Sequence, residues 1–302
     1  MELACHYTTL EAFYGMLKSI DWDKKAEEQT LTFWGSSIYS MNDPQEFIYG
    51  YKLLLSSALP DIEKNLRIED DRFKLSKIVN ILGNGDIEEA NRILIDYIYR
   101  EHNVPFIISF TRNRDYLPMW NMYSNNSTGV CLCFSNNEYV VRNVNDIDID
   151  IDIIHRLHAM DVSYGVISET INNTLHKQYK RFYEEYRNKK GEELKRKMLN
   201  YFTTLVLTLS PYHKHKAYKF EDEIRLVQFK ENDSDIKYRI SKKGNLIPYI
   251  EIPVKLKYLE RVIVGPCADS PSIIRELQHI LRKYKGNEKN FIIPSEIPYR
   301  EI

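Results

Sequence analysis

The chain has 302 residues, 43% of them hydrophobic, which is enough to bury a full core and argues against disorder; one large domain or two small ones fit that length. With 42 basic and 43 acidic residues the formal net charge is -1, so no global field gathers nucleic acid or an anionic membrane surface. Either partner would need a local patch.

The chain opens with Glu2 and His6 among its first residues and lacks the basic segment and apolar core of a signal peptide. No run approaches the ~18 apolar residues of a membrane span, and the reading is a soluble, cytoplasmic protein with no membrane partner. Leu3 to Tyr7 reads as a short strand and Thr9 to Ile20 as a helix, with Thr9 as N-cap and Leu10, Phe13, Met16, Leu17 and Ile20 on one face. A strand from Thr30 to Trp34 follows, then a polar loop ending in Asn42-Asp43-Pro44, where proline restricts the backbone and Asp43 caps a helix starting near Gln45. From Gln45 to Glu101 the period is helical, as in Ile87, Ala90, Ile93, Leu94 and Tyr97, and predicts a helical insertion beside a sheet.

A strand-helix-strand block comes next: Val104 to Phe110, a short helix holding Met119, Trp120 and Tyr123, then Gly129 and an alternating strand through Val130, Leu132 and Phe134. In that strand Cys131 and Cys133 point the same way, while Cys5 and Cys267 stand alone. No cysteine spacing suits zinc, so reduced packing cysteines and no metal are expected. Asp146 to Ile153 alternates Asp and Ile, a strand with one acidic face or a solvated edge, without the turning glycine of a calcium loop. Helices are predicted over about Glu169 to Lys190 and Glu192 to Leu209. Lys177, Lys180, Arg181 and Arg187 are there interleaved with Glu184, Glu185, Glu192 and Glu193, which makes a solvated face rather than a nucleic-acid patch. The last third reads as strands at Ile224 to Phe229, Ile236 to Ile240, Tyr249 to Val254 and Leu259 to Val264, a helix at Ser270 to Tyr284, and a strand at Phe291 to Ile293. No repeat or low-complexity linker divides the chain. The expectation is one α+β domain, a curved, mostly antiparallel sheet with helical insertions at about 45–101 and 169–209.

Glu221 and Glu223, two apart at a strand entry, put both carboxylates on one face with Arg225 next along it. One reading is an ion-pair ladder on a solvent-facing strand. The other is a site in which a carboxylate stabilises an oxocarbenium-like ribosyl cation and hydrogen-bonds a ribose hydroxyl. His6, with Thr8 on the same side, is either a buried hydrogen-bonded histidine or a neutral donor to a ribose hydroxyl. Trp120 and Tyr123 share a helix face, as core or as a ligand shelf. Arg112 and Arg114 follow Ser109-Phe110 and are either solvated or placed to take a pyrophosphate. His213 and His215 straddle Lys214, whose charge repels a divalent ion.

Taken in order, His6-Tyr7-Thr8, Asn42-Asp43-Pro44 with Glu46-Phe47, Ser109-Phe110 with Met119-Trp120 and Tyr123, Gly129-Val130-Cys131-Leu132 with Phe134, Phe220-Glu221 with Glu223 and Arg225, and Val262 to Pro266 resemble the bacterial family called domain of unknown function 2971, over nearly the whole chain. A more distant resemblance is to ADP-ribosyltransferases, in the His-x-Thr on the first strand, the helix after it and the late Glu-x-Glu. That resemblance implies an ADP-ribosyltransferase-like sheet and an enzyme that consumes NAD and passes ADP-ribose to a macromolecule or to water, as a toxin-like or phage-defence effector with a regulatory partner protein. It implies that His6 and Thr8 hold the NAD ribose, that Glu223 is catalytic with Glu221 as companion, and that Tyr39 or Tyr123 is the nicotinamide shelf. Tyr7, Asn42, Asp43, Arg112, Trp120 and Arg225 complete the NAD-binding set. Two readings of other classes stand beside it: a noncatalytic nucleotide-sensing or adaptor module, in which the carboxylates only fix Arg225, and a nuclease in which Asp43, Glu46, Glu221 and Glu223 converge on magnesium.

Overall fold

The computed structural model describes residues 3–41, 46–54, 60, 64, 70–74, 89, 92–93, 96, 104–135, 158–230, 232–241, 244–267, 269–285 and 290–298. The Asn42-Asp43-Pro44 loop, most of the predicted insertion up to Glu101 and the Asp146 to Ile153 run lie outside the described residues.

Strand β1 (Leu3–Thr8) runs into helix α1 (Leu10–Lys18), which Thr9 caps by accepting the Ala12 amide at 3.1 Å. The predicted apolar face buries Phe13, Met16 and Leu17. Strand β2 (Thr30–Ser37) is longer than its apolar signature, because Gly35, Ser36 and Ser37 go on pairing with neighbouring strands. Helix α2 (Glu46–Leu53), strand β3 (Phe106–Thr111), helix α3 (Leu117–Tyr123) and strand β4 (Val130–Ser135) follow. Strand β5 (His158–Asp161) was not legible in the sequence: Met160 is its one large apolar residue, and it exists by pairing with a later strand. Next come β6 (Ser163–Tyr164), α4 (Glu169–Tyr186), α5 (Gly191–Leu209) and β7 (His213–Lys214). Helix α4 stops short of the predicted Lys190, with Arg187 as its cap; Lys190 is extended, at φ -141° and ψ 168°, and Gly191 opens α5 at φ 58°. The chain closes with β8 (Glu223–Gln228), β9 (Lys237–Ile240), β10 (Leu246–Lys255), β11 (Leu259–Val264), α6 (Ser270–Lys285) and β12 (Ile292–Pro294).

Ten strands form one sheet in the order β12-β11-β4-β1-β3-β2-β10-β9, with β8 against β3 and β5 against β8. Its pairings are antiparallel except β11 with β12, so the fold is mixed α+β on a mostly antiparallel open sheet. Among the described residues no helix is long and apolar enough to cross a membrane.

Strand β3 is the branch point. Along one edge it pairs with β8 from Phe106 to Thr111. On the other edge β2 meets only Phe106 and Ile107, and β1 meets Thr111, so the two limbs of the sheet diverge between them. Phe13, Phe33, Phe110, Phe134 and Ile252 join both limbs in one core. The opposite face of β8 and β5 is covered by α2, α4 and α5 through Phe47, Tyr179, Phe202 and Leu205, and a smaller cluster around Trp120 lies against β1 and β4. Each such side chain contributes about 1.5–3 kcal/mol by leaving water.

Candidate functional site

Glu221 and Glu223 come together, though not by strand alternation. Glu221 ends a 3-10 helical stretch, Lys216–Glu221, and Glu223 opens β8. Between them Asp222 adopts a left-handed conformation, φ 43° and ψ 56°, which costs an L residue roughly 1–2 kcal/mol and which Asp tolerates better than most. The turn aims both carboxylates at Lys214, whose Nζ lies 2.5 Å from Glu221 Oε2 and 3.1 Å from Glu223 Oε2. Arg225 holds Glu223 with two bonds, Nε to Oε1 at 2.8 Å and Nη2 to Oε2 at 3.0 Å, and also donates to the Pro211 carbonyl. The Tyr123 hydroxyl donates to Glu221 Oε1 at 2.8 Å, and the Glu223 amide donates to the Tyr164 hydroxyl at 2.8 Å. The Lys214 ammonium lies 4.8 Å from the Tyr218 ring centre.

All four charged residues are buried, Arg225 completely, so the expected solvent-facing ladder is instead an internal network of two cations and two anions. Ions taken out of water persist only when paired and hydrogen-bonded, as these are. The two carboxylates are nevertheless driven apart. Burial pushes Glu223 up, but the charges of Arg225 and Lys214 outweigh it and pull the carboxyl down to about 2. Burial raises Glu221 above the ordinary glutamate value against the opposing pull of Lys214. Glu223 is thereby held firmly in its charged form, while Glu221 is the carboxylate with the higher proton affinity.

His6 does not join them. Cys5 stands opposite Thr111, and Thr111 opposite Glu223, so those three share a face while His6 is on the other. Its ring packs 5.1 Å from Phe33 and 5.7 Å from Phe110, and Nδ1 donates to the Ser109 carbonyl at 2.8 Å, in the gap where the sheet limbs separate. Burial lowers its proton affinity. With Nδ1 engaged by the Ser109 carbonyl, Nε2 is the ring nitrogen left for any other partner.

The other candidates are dispersed. Tyr7 donates to the Asn113 carbonyl and accepts the Tyr116 amide, each at 2.9 Å, with its ring edge-on to Trp120. Thr8 is buried at the end of β1, where its carbonyl lies so close to Gly129 that an added Cβ would come within 2.1 Å of it. Trp120 has no exposed surface and its Nε1 donates to Asp115 at 2.8 Å, so it is core rather than a shelf. Tyr39 packs on Phe47 in the helical cluster. Arg112 binds Asp161, with Asp222 at 3.5 Å, which makes it an ion-pair partner rather than a solvated arginine. Asn42 and Asp43 lie outside the described residues.

Sequence reasoning missed two members. Lys214 appeared only as a charge between two histidines; a lysine directly after the stretch Leu209 to His213, seven residues before Glu221, is the signal that finds it. Tyr164 carries no signal at all. The Lys214 ammonium also stands between both carboxylates, where a magnesium ion shared by them would have to sit, and this disfavours the nuclease reading.

No curated protein and no solved structure matches the chain. Residues 119–226 match a family model described as protein of unknown function (DUF2971), a stretch that runs from α3 to β8 and contains Trp120, Tyr123, Lys214, Glu221, Glu223 and Arg225. The match supports the resemblance to that family over residues 119–226, not over the motifs before Met119 or after Leu226.

Proposed function

We propose that the chain is an NAD-consuming, ADP-ribosyltransferase-like enzyme in which Glu221, rather than Glu223, is the carboxylate that works at the ribosyl carbon. The observation that carries the reading is the division of labour in the buried pair. Glu223 is committed on both oxygens to Arg225 and Lys214, whereas one Glu221 oxygen meets the hydroxyl of Tyr123, a partly exposed side chain. A substrate hydroxyl that replaces the Tyr123 hydroxyl would meet a carboxylate able to steady a developing ribosyl cation. Lys214 and Arg225 keep the pair in register through that exchange. His6 and Thr8, on the other face, then belong to the sheet and not to the NAD site.

The test is incubation of purified protein with NAD, with nicotinamide release followed by chromatography. Release by the wild type and its loss in Glu221→Gln support the reading. Because Glu223→Gln also breaks a buried ion pair, its loss of turnover counts only beside an unchanged unfolding midpoint. A noncatalytic nucleotide-binding module is the second reading, favoured by the full engagement of Glu223 and Arg225; binding of NAD without release would select it.

A further inference from the structure

The cluster beside Trp120 holds three cysteines that the charged site does not use. Cys5 on β1 stands directly across from Cys133 on β4, and Cys131 is two residues away on the same strand face. All three are fully buried, among Tyr7, Met119, Trp120 and Ile263. Cys5 Sγ lies 3.2 Å from Cys133 Sγ, Cys131 Sγ lies 3.9 Å from Cys133 Sγ, and the three sulfurs all fall within 4.8 Å of one another. Sequence spacing could not show this, because Cys5 and Cys133 are 128 positions apart and only the β1–β4 register joins them.

We propose that Cys5, Cys131 and Cys133 form a three-thiolate site for a thiophilic closed-shell metal ion, copper(I) or zinc(II). A metal–sulfur bond of about 2.3 Å places trigonal sulfur ligands roughly 4 Å apart, and the 3.9 Å between Cys131 and Cys133 meets that value while Cys5 and Cys133, at 3.2 Å, need only part slightly. Soft thiolates select these two ions over hard cations. The three Cβ positions are fixed by paired strands, so the sulfurs need only small side-chain rotations to close on an ion. Binding releases the thiol protons to solvent, so affinity rises with pH. Packing alone accounts for buried cysteines as small apolar side chains, but not for the convergence of three sulfurs from two paired strands.

The experiment is an anaerobic titration of reduced, metal-stripped protein with copper(I) against a chromogenic chelator, and separately with zinc(II). Wild type and Cys267→Ser are expected to bind a single ion equally, while Cys131→Ser and Cys133→Ser weaken it on the order of tenfold or more, since even outer-shell changes at metal sites cost that much. Should the serine variants fold poorly, X-ray absorption on the loaded wild type reads the ligands directly. Three sulfur neighbours identify copper(I), and three sulfurs with one lighter atom identify zinc(II); either supports the site. No binding of either ion, binding lost in Cys267→Ser, or fewer than three sulfurs around the ion overturns it.

Discussion

The two faces of β3 bury titratable groups by opposite means. On one, the part-buried His6 packs between Phe33 and Phe110, its proton affinity lowered by burial and its ring bonded to the Ser109 carbonyl. On the other, Lys214, Glu221, Glu223 and Arg225 keep their charges by cancelling them pairwise. A base can be buried cheaply by losing its proton, whereas a guanidinium cannot and must be paired. Residues that line up in sequence as one catalytic set are therefore divided between a structural face and a charged one.

The largest effect expected on that contrast comes from Arg225. Arg225→Met strands the Glu223 carboxylate with half its partners, and stability falls by about 3–5 kcal/mol in denaturant unfolding. The same cluster sets the acid response. Glu223 is depressed to about 2, so its contribution is complete above the ordinary carboxylate value and is lost as pH falls toward about 2; Glu223→Gln should flatten that part of the stability-pH curve. Glu221 works the other way: raised in the folded protein, it subtracts stability as pH rises past the ordinary value.

On the aromatic face, His6→Ala leaves a cavity and removes the imidazole bond to the Ser109 carbonyl, a cost of about 2–3 kcal/mol, without altering the titration of Glu221. A change in that titration would mean that the two faces are coupled after all. The smallest effect is at Tyr123. Tyr123→Phe costs about 1 kcal/mol and lifts the Glu221 proton affinity further, because the lost hydrogen bond favours the carboxylate. Carboxylate infrared bands checked against pH would show the shift.

How much of this was legible follows from the kind of force involved. Elements driven by apolar periodicity and capping, such as α1 with Thr9 or β11, fall within a residue or two of their predicted bounds. β5 was missed because its partner, not its own residues, makes it a strand. Glu221, Glu223 and Arg225 were visible as charges in an apolar setting, but spacing alone implied a strand pleat where the chain uses a left-handed Asp222. Their bridge, Lys214, depends on a tertiary approach of β7 to β8 that periodicity does not encode, as does the meeting of Cys5 with Cys133. The separation of His6 from Glu223 depends on register across β1, β3 and β8, and a single residue of slip would reverse it.

The account rests most directly on the division between Glu221 and Glu223. The decisive measurement is a titration of the two side-chain carboxylate carbons by NMR in isotope-labelled protein, from neutral pH downward, with assignments fixed by Glu221→Gln and Glu223→Gln. Glu221 should take its proton first, above the ordinary glutamate value, and Glu223 last, near 2. Protonation in the reverse order, or of both together at the ordinary value, would contradict the account.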